Sequence, residues 1–427
     1  RAAGAQRGPG PLSQLIGCPR FVRSMHGRRR RTMGELRDPF SIDSVIRFLD
    51  RVPFSAPFLA VIPAVAWLLD RRSAAPVTAA GPAWSAVYRL LFQKYKSLGY
   101  AVLFILLKLV SRALSLRAAN NGDARPDKPA WATDVVVVTG GATGIGKEVV
   151  EKLSRRFGAR IAVIDIAQPK YAPAAPGAPD ILFIEADVTD KDAIHAAHAK
   201  IVETFGESPS LVVSCAGIAV GRSLLDMSPE LLNKTLAINS VANVLLAHEF
   251  LPHMIKNNHG HFMTIASSAS YFTVPMLVAY CMSKGATMAF HETLRCELRV
   301  LYKAPRVRTS IVTPTKVRTL LGYALQDSDN QFLAPVLEPE QVARAMVEAL
   351  DSGLSHSISQ PYITYLLPWV RALPPWYRSF IEMIGKTDQS VTSETVRAGI
   401  EAGYGQSWGE EFVQVREELL RAGRHRP

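Results

Sequence analysis

Cysteine is scarce in this chain, and its few copies are not paired. The 427 residues include four cysteines, Cys18, Cys215, Cys281 and Cys296, and none has the close spacing of a zinc site or of a disulfide framework. The pattern therefore excludes a small disulfide-stapled scaffold and a cysteine metal centre. It fits a protein kept in a reducing, cytosolic environment.

Acidic residues are missing from the first 32 positions, which carry eight arginines. Without this leader, 41 basic residues face 37 acidic ones, so most of the net charge of +12 lies in one tail. A basic tail does not make a nucleic-acid-binding face, and we expect no nucleic-acid partner. Residues 1–32 are interpreted either as a transit peptide or, preferably, as a disordered stretch upstream of a natural start at Met33.

An uninterrupted apolar run of about 20 residues, the length that spans a bilayer, is also missing. The two nearest candidates are Phe54–Leu69, broken by Pro57 and Pro63, and Gly99–Leu107, which continues past a lysine to Val110. They are compatible with a membrane hairpin, one marginal span, helices lying in the interface, or a soluble helical cap. We expect residues 33–128 to be an apolar membrane-anchoring region that ends in a polar linker, Arg117–Lys128.

The most informative stretch runs from Asp134 to Gly146 and reads D-V-V-V-V-T-G-G-A-T-G-I-G. Four consecutive valines are typical of a strand buried on both faces of a parallel sheet. A glycine-rich turn follows, and a helical pattern opens at Gly144. Strand, glycine turn and helix form the first half of a dinucleotide-binding unit, because the helix N-terminus and the close backbone can hold a pyrophosphate.

Alternating strands and helices continue to Gln360 and predict an α/β fold with a doubly wound parallel sheet of about seven strands, in a domain spanning 129–360. The predicted strands are Asp134–Val138, Arg160–Ile164, Ile181–Glu185, Leu211–Ser214, His261–Ile265, Val307–Val312 and Ser357–Gln360. The predicted helices are Gly144–Phe157, Lys191–Phe205, Pro229–Ile255, Val278–Tyr302 and Pro339–Leu350.

Asp165 follows the second strand, nineteen residues after Gly146. An acid at this spacing is placed to accept hydrogen bonds from the adenosine ribose. Its carboxylate would repel a 2′-phosphate, so we expect NAD to be preferred over NADP. Lys147, just after the turn, weakens this preference slightly.

The reactive groups are predicted in the second half of the sheet. Tyr280 and Lys284 are one helical turn apart on the same face. An ammonium beside a phenol is expected to lower the pKa of Tyr280 from about 10 towards neutrality, so that the phenol can exchange a proton with an alcohol or carbonyl. Ser267 lies thirteen residues earlier at a strand end, where its hydroxyl could hold the substrate oxygen.

Together these features resemble the short-chain dehydrogenase/reductase family over roughly Ala132–Gln360. The resemblance implies a Rossmann fold, catalysis by Ser267, Tyr280 and Lys284, and a proton relay through a water held by Asn239, with no metal. Lys284 would also hold the nicotinamide ribose, and Asp187-Val188 would lie near the adenine. The cofactor residues it implies are Gly140, Thr143, Gly144, Ile145, Gly146, Asp165, Asp187, Val188, Ala216, Gly217, Asn239, Tyr280, Lys284, Pro314, Val317 and Thr319.

Two positions depart from the family pattern. Ser214-Cys215-Ala216-Gly217 replaces the usual Asn-Asn-Ala-Gly, and Pro314-Thr315 replaces Pro-Gly. Both line the cofactor cleft, so contacts there are expected to differ while activity is retained.

Within the family, the apolar extensions resemble the membrane-bound retinol and hydroxysteroid dehydrogenases, the epidermal retinol dehydrogenase group in particular. This implies a lipophilic alcohol or carbonyl as substrate, drawn from the cytosolic face of the endoplasmic reticulum or a lipid droplet; mitochondria are the alternative. A homodimer through the two long helices of the second half is an analogy with the family. The alternatives are an NADPH-dependent lipid ketone reductase and a catalytically silent scaffold that senses nucleotide.

Two further segments are expected to shape the substrate side. Lys316–Leu333 is the expected substrate loop, and residues 361–427 are interpreted as an apolar lid or interfacial segment followed by a polar tail with one helix, Glu410–Leu420. The predicted lining comprises Leu320, Leu321, Tyr323, Leu325 and Phe332, with Met276 and Leu277 opposite.

Overall fold

Parallel strands dominate the computed structural model, which describes residues 40–52, 54–73, 83–173, 177–327, 330–332 and 334–384, together with Val391 and Val396. The predicted leader (1–32) and the helix Glu410–Leu420 lie outside the described residues. From Ser41 onwards the described part of the chain belongs to one compact unit.

Apolar helices precede the sheet. They are α1 (Ile42–Arg51), α2 (Phe58–Arg71), α3 (Ala83–Tyr88) and α4 (Lys96–Ala119), and a π-helical turn, Arg89–Lys94, separates α3 from α4. Helix α2, the π-helical turn and α4 share a small core, in which Ile62, Ala66, Leu90, Leu91 and Ile105 are buried. Helix α4 is long and apolar enough to cross a membrane, with a mean hydropathy of 1.7 over its most apolar 18 residues and only 11% of that window buried.

A seven-stranded, all-parallel sheet follows, with the order β3-β2-β1-β4-β5-β6-β7. The predicted doubly wound fold is therefore confirmed. The strands are β1 (Val135–Thr139), β2 (Arg160–Asp165), β3 (Leu182–Glu185), β4 (Leu211–Ser214), β5 (His261–Ile265), β6 (Arg308–Pro314) and β7 (Ser357–Gln360).

Helices cover both faces of the sheet, because strands buried on both sides need an apolar layer above and below. One layer is formed by α5 (Gly144–Phe157) and α10 (Pro339–Ser352), and the other by α6 (Lys191–Phe205), α8 (Ala242–Asn257) and α9 (Val278–Val300). Short α7 (Pro229–Leu236) leads into α8. After β7 come α11 (Leu367–Ala372) and α12 (Pro375–Ile384).

The long helix predicted over Pro229–Ile255 is interrupted, which the sequence did not reveal. Between α7 and α8 the backbone forms a π-helical turn, Ala237–Val241, that contains Asn239. Such turns insert one extra residue and often mark functional sites. Here the turn directs the Asn239 side chain into the protein, where only 2% of the residue is exposed.

The predicted linker Arg117–Lys128 is fastened to the sheet domain. Arg308, 1% exposed, donates from Nη1 to the Asp123 carbonyl (2.8 Å) and from Nη2 to the Arg125 carbonyl (2.6 Å). Asn120, fully buried, accepts from the Ser355 N–H at 2.7 Å. Backbone carbonyls with buried partners of this kind are costly to release. Helix α4 therefore leaves the sheet domain in a fixed direction.

Candidate active site

The glycine turn after β1 brings three pieces of backbone very close together. Gly140 has φ +64°, and a Cβ there would lie 2.6 Å from the Ala216 backbone nitrogen; a Cβ on Gly146 would lie 2.2 Å from the Gly140 carbonyl oxygen. Glycine is therefore required at both positions. The glycine turn leads directly into α5. The backbone N–H groups at the start of this helix have no partner within the helix. Exposed Thr143 and half-buried Ile145 border this opening, and the Thr319 methyl group lies 3.3 Å from the place of a Cβ on Gly144.

Asp165, at the end of β2, is hydrogen-bonded to the glycine turn. Its Oδ2 accepts a hydrogen bond from the Ala142 N–H at 2.9 Å, and its Oδ1 accepts from the Ala167 N–H at 3.0 Å. Each carboxylate oxygen can accept further bonds. The acid is therefore held at the carboxyl edge of β2, beside the glycine turn.

Asp187 and Val188 are placed in the loop after β3. Asp187 accepts from both the amide (2.8 Å) and the hydroxyl (2.7 Å) of Thr189, and its other oxygen accepts from Lys234 Nζ at 2.9 Å. Val188 is 6% exposed and belongs to the core. A nucleotide base would thus meet a loop that is already ordered.

Ser267, Tyr280 and Lys284 come together at the carboxyl edge of β5. Lys284, 5% exposed, donates to the Ile265 carbonyl at 2.8 Å and lies 5.7 Å from the centroid of the Tyr280 ring. The Ser267 hydroxyl interacts with the partly buried Tyr280 phenol, and it accepts a hydrogen bond from the Ala269 N–H at 3.2 Å.

The predicted lowering of the Tyr280 pKa is wrong in sign. Burial raises the pKa of Tyr280 to about 12, although the hydrogen bond with Ser267 acts in the opposite direction. Burial also lowers the pKa of Lys284 to about 8. Removing both groups from water disfavours both charged forms, and for Tyr280 this effect outweighs the hydrogen bond with Ser267. Tyr280 therefore carries its proton at neutral pH.

Asn239 joins the loop after β4 to the helix that carries Tyr280. Its Oδ1 accepts from the Ile218 N–H at 2.8 Å, and its Nδ2 donates to the Ile218 carbonyl at 2.8 Å and to Ser283 Oγ at 2.9 Å. Its own carbonyl accepts from Thr287 Oγ1 at 2.9 Å. These bonds hold α9 in a fixed position relative to the loop after β4. Ser283 and Ile218 were not predicted as site residues; their only sequence signal is their position beside Lys284 and Gly217.

Gly217 lies where Asn239 and Lys284 approach each other. A Cβ on Gly217 would lie 3.2 Å from Asn239 Oδ1 and 3.6 Å from Lys284 Nζ. The unusual Cys215 is two residues earlier, and burial raises the pKa of its thiol to about 12 despite the nearby Lys284 charge. A thiol with such a pKa is unreactive at neutral pH. Cys215 therefore occupies the place of the usual asparagine without providing a reactive group.

The segment after β6 crosses the same edge. Pro314 is buried and pairs with Gln360 in the sheet, and the Thr315 N–H donates to the Gln360 carbonyl at 2.9 Å. Val317 is 6% exposed, and its carbonyl accepts from the Thr319 N–H at 2.8 Å. The cofactor residues expected from β1, β4 and β6 thus lie along one edge.

The substrate lining is only partly gathered at this edge. Leu325, Met276 and Leu277 pack in one apolar cluster with Tyr280. Leu320 and Phe332, in contrast, are about two-fifths exposed. The Tyr323 side chain lies outside the part of the chain that the structure describes.

The residues present fit a dinucleotide. The glycines leave room beside the N-terminus of α5, and the Asp165 carboxylate lies next to the turn, where it could accept a hydrogen bond from a ribose hydroxyl. Among the described residues, no group of three or more His, Cys, Asp and Glu side chains is placed to hold a metal ion.

Known proteins share this half of the chain. The family model for short chain dehydrogenases matches residues 134–330. Dehydrogenase RED2 of Cochliobolus heterostrophus is 34% identical over 214 residues, which cover 50% of this chain and 79% of that protein. Estradiol 17-beta-dehydrogenase 11 of Mus musculus is 32% identical over 228 residues, 52% of this chain and 74% of that protein.

A similar solved structure is that of 3-ketoacyl-(acyl-carrier-protein) reductase from Brucella melitensis complexed with NADH. The similarity covers 53% of this chain and 97% of that one, with a TM-score of 0.46 and 19% identity. With the matching family model and its identity to dehydrogenase RED2 and estradiol 17-beta-dehydrogenase 11, the chain belongs to the short-chain dehydrogenase family, and it is an oxidoreductase that acts on CH–OH groups with a nicotinamide dinucleotide.

Proposed function

We propose that this protein interconverts a lipophilic alcohol and its carbonyl at a membrane surface, with NAD(H) as the preferred cofactor. The observation that carries the proposal is the meeting of Tyr280, Lys284 and Ser267 with an apolar cluster at one edge of the sheet. A reactive polar centre against an apolar wall suits a substrate with one oxygen and much hydrocarbon.

In the proposed reaction, the nicotinamide supplies or accepts the hydride when it is bound. Ser267 holds the substrate oxygen, and Tyr280 donates a proton to it in reduction or takes one in oxidation. Lys284 would bind the nicotinamide ribose, and its ammonium would stabilise the phenolate form of Tyr280. Asn239 would hold the relay water while it fixes the position of α9.

The preference for NAD follows from Asp165. Its two bonds to backbone N–H groups keep a carboxylate beside the glycine turn. A 2′-phosphate placed there would meet like charge, whereas a 2′-hydroxyl would find an acceptor.

Membrane attachment is proposed from α4 and from the segment after β7. Trp84, Tyr100 and Phe104 are more than half exposed near the start of α4 or before it, and Trp369 and Trp376 are similarly exposed on α11 and α12. Aromatic side chains of this kind favour the headgroup region. We propose the cytosolic face of the endoplasmic reticulum or a lipid droplet as the location. A homodimer through the helices α7 to α9 is proposed by analogy with the family alone.

A second candidate is a reductase of lipid ketones. Burial raises the pKa of Tyr280, so the phenol holds the proton that reduction of a carbonyl would require. A silent scaffold is disfavoured, since it would have no need of Ser267, Tyr280 and Lys284 together.

The test is turnover by detergent-solubilised protein with retinoids, steroids and long-chain alcohols, using NAD and NADP in parallel. We expect at least one lipophilic alcohol to be oxidised with NAD, and Asp165→Ala to raise the relative use of NADP by about tenfold or more. Asp180→Ala, at an exposed acid in the loop before β3, is the matched control. A strong NADPH preference in the unmodified protein would contradict the cofactor proposal, and turnover of polar alcohols alone would contradict the lipophilic substrate.

A further inference from the structure

An apolar wall stands beside Tyr280, and part of it comes from the end of the described chain. Ile218 and Val220 follow β4, Leu277 precedes α9, and Val391 and Val396 come from beyond α12. All five are less than 9% exposed. Tyr280, Cys281 and Leu325 pack against them. We call these five buried residues the apolar wall.

The position of the apolar wall favours a ligand site over ordinary core. Ile218 and Val220 follow the carboxyl end of β4, and Leu277 follows that of β5. This is the edge at which open α/β sheets bind ligands. The Arg222 N–H donates to the Met276 carbonyl at 2.8 Å, which fixes two of these segments side by side. The two main cores of the sheet are formed by other residues.

Gly221 shows how closely Val391 and Val396 approach the loop after β4. A Cβ on Gly221 would lie 2.5 Å from Val396 Cγ2 and 3.2 Å from Val391 Cγ1. At 2.5 Å real carbon atoms do not coexist, so the side chain of Val396 occupies the space that a larger residue would need. Gly221 is itself buried. Its missing side chain is what allows Val396 to contact the loop after β4.

We propose that Val396 and Val391, seated against Gly221, are specificity-determining residues that limit the size of the apolar group next to the reacting carbon. The proposal rests on the proposed function of the Tyr280 site. The wall is rigid on its β4 side, because Ile218 is bonded to Asn239 in both directions. Its C-terminal half therefore decides how much hydrocarbon fits between the wall and the phenol.

Gly221→Ala and Val396→Ala form a compensating pair, because one adds a methyl group where the other removes one. The measured quantity is the ratio of kcat/KM for a bulky secondary alcohol to that for a short-chain secondary alcohol. We expect Val396→Ala to raise this ratio about tenfold and Gly221→Ala to lower it about tenfold, as for one methyl group in an apolar pocket. The double variant is expected to return close to the parent ratio.

Val370→Ala is the matched control, since Val370 is buried in α11 outside the apolar wall. A merely structural role would change both alcohols equally, and equal changes in the single variants would overturn the proposal. A double variant whose ratio stays as far from the parent ratio as that of either single variant would overturn it as well.

Failure of the proposed function would look different, because the parent would then turn over no alcohol while still binding the cofactor. In that case thermal stabilisation by a long-chain ketone, with NADH present, is compared between Val396→Ala and Val370→Ala. A shift confined to Val396→Ala supports the wall as a ligand site, and equal shifts contradict it.

Discussion

The sheet and the helices before it are built from similarly apolar sequence, yet they bury it to very different extents. Every residue of β1 is buried, whereas only about a tenth of the most apolar window of α4 is buried. The sheet finds its apolar partners within the chain. Helix α4 has few such partners among the described residues, and we propose that a membrane supplies them. Apolar sequence alone therefore does not separate a core from an anchor; the partners do.

Among the tests that compare these two regions, the largest expected effect is on membrane association. Leu107, 61% exposed on α4, and Leu301, 64% exposed just after α9, are alike in type and exposure. We expect Leu107→Lys to reduce partitioning of the full chain onto phosphatidylcholine vesicles by about 3 kcal/mol, on the order of 100-fold, because a charge is costly inside a bilayer. Leu301→Lys is expected to leave partitioning unchanged in the same flotation measurement. Equal losses would remove the distinction between the two regions.

The next test concerns the joint between the two regions, the segment Arg117–Lys128 that connects α4 to the sheet. Arg308→Ala would leave the Asp123 and Arg125 carbonyls without their buried donor. We expect the free energy of unfolding to fall by about 2–3 kcal/mol, with faster amide hydrogen exchange in Arg117–Lys128. Arg125→Ala removes only an ion pair with an 83% exposed side chain, and it should leave the free energy of unfolding almost unchanged. If both variants behave alike, the segment is a loose linker.

A smaller effect is expected from pH at the same joint. His259 bonds Asp127 at 2.8 Å and Asp134 at 3.1 Å. The hydrogen bond with Asp134, opposed by burial and helped by Asp127, raises the pKa of His259 from 6.5 to about 9. Because the folded pKa is the higher one, this stabilisation is complete below pH 6.5 and is lost as the pH rises through 9.

Thermal unfolding in detergent at pH 6.5 and 9.5 measures this loss. We expect a decrease of about 1–2 kcal/mol for the parent, after allowance for solvent screening, and a flatter profile for His259→Gln. His195→Gln, at a largely exposed histidine, should keep the parent profile. A parent whose stability does not change between these pH values would refute the ionic joint.

The sheet was predictable because its strands are short β-branched runs with clear ends. Predicted and observed strands agree to within two residues at each end, from Val135–Thr139 to Ser357–Gln360. The nucleotide turn was predictable for a similar reason, since glycine is required wherever backbone approaches backbone.

The remaining features depend on contacts that the sequence does not display. The π-helical turn at Asn239 keeps the apolar pattern of a continuous helix. Nothing in the sequence around Arg308 indicates that its side chain is buried or that it binds two backbone carbonyls. The pKa of Tyr280 depends on how much water reaches the phenol, and local spacing to Lys284 gave the wrong sign.

The central claim is that Tyr280 transfers the proton, and Tyr280→Phe tests it most directly. The measurement is kcat for a lipophilic alcohol together with the dissociation constant of the nicotinamide cofactor. Tyr271→Phe is the control, because the Tyr271 hydroxyl makes a weak contact, 3.9 Å to the Met288 sulfur. We predict that Tyr280→Phe lowers kcat about 1,000-fold or more and leaves the cofactor dissociation constant within about twofold, while Tyr271→Phe stays close to the parent. A Tyr280→Phe variant that keeps more than about a tenth of the parent kcat would contradict the account.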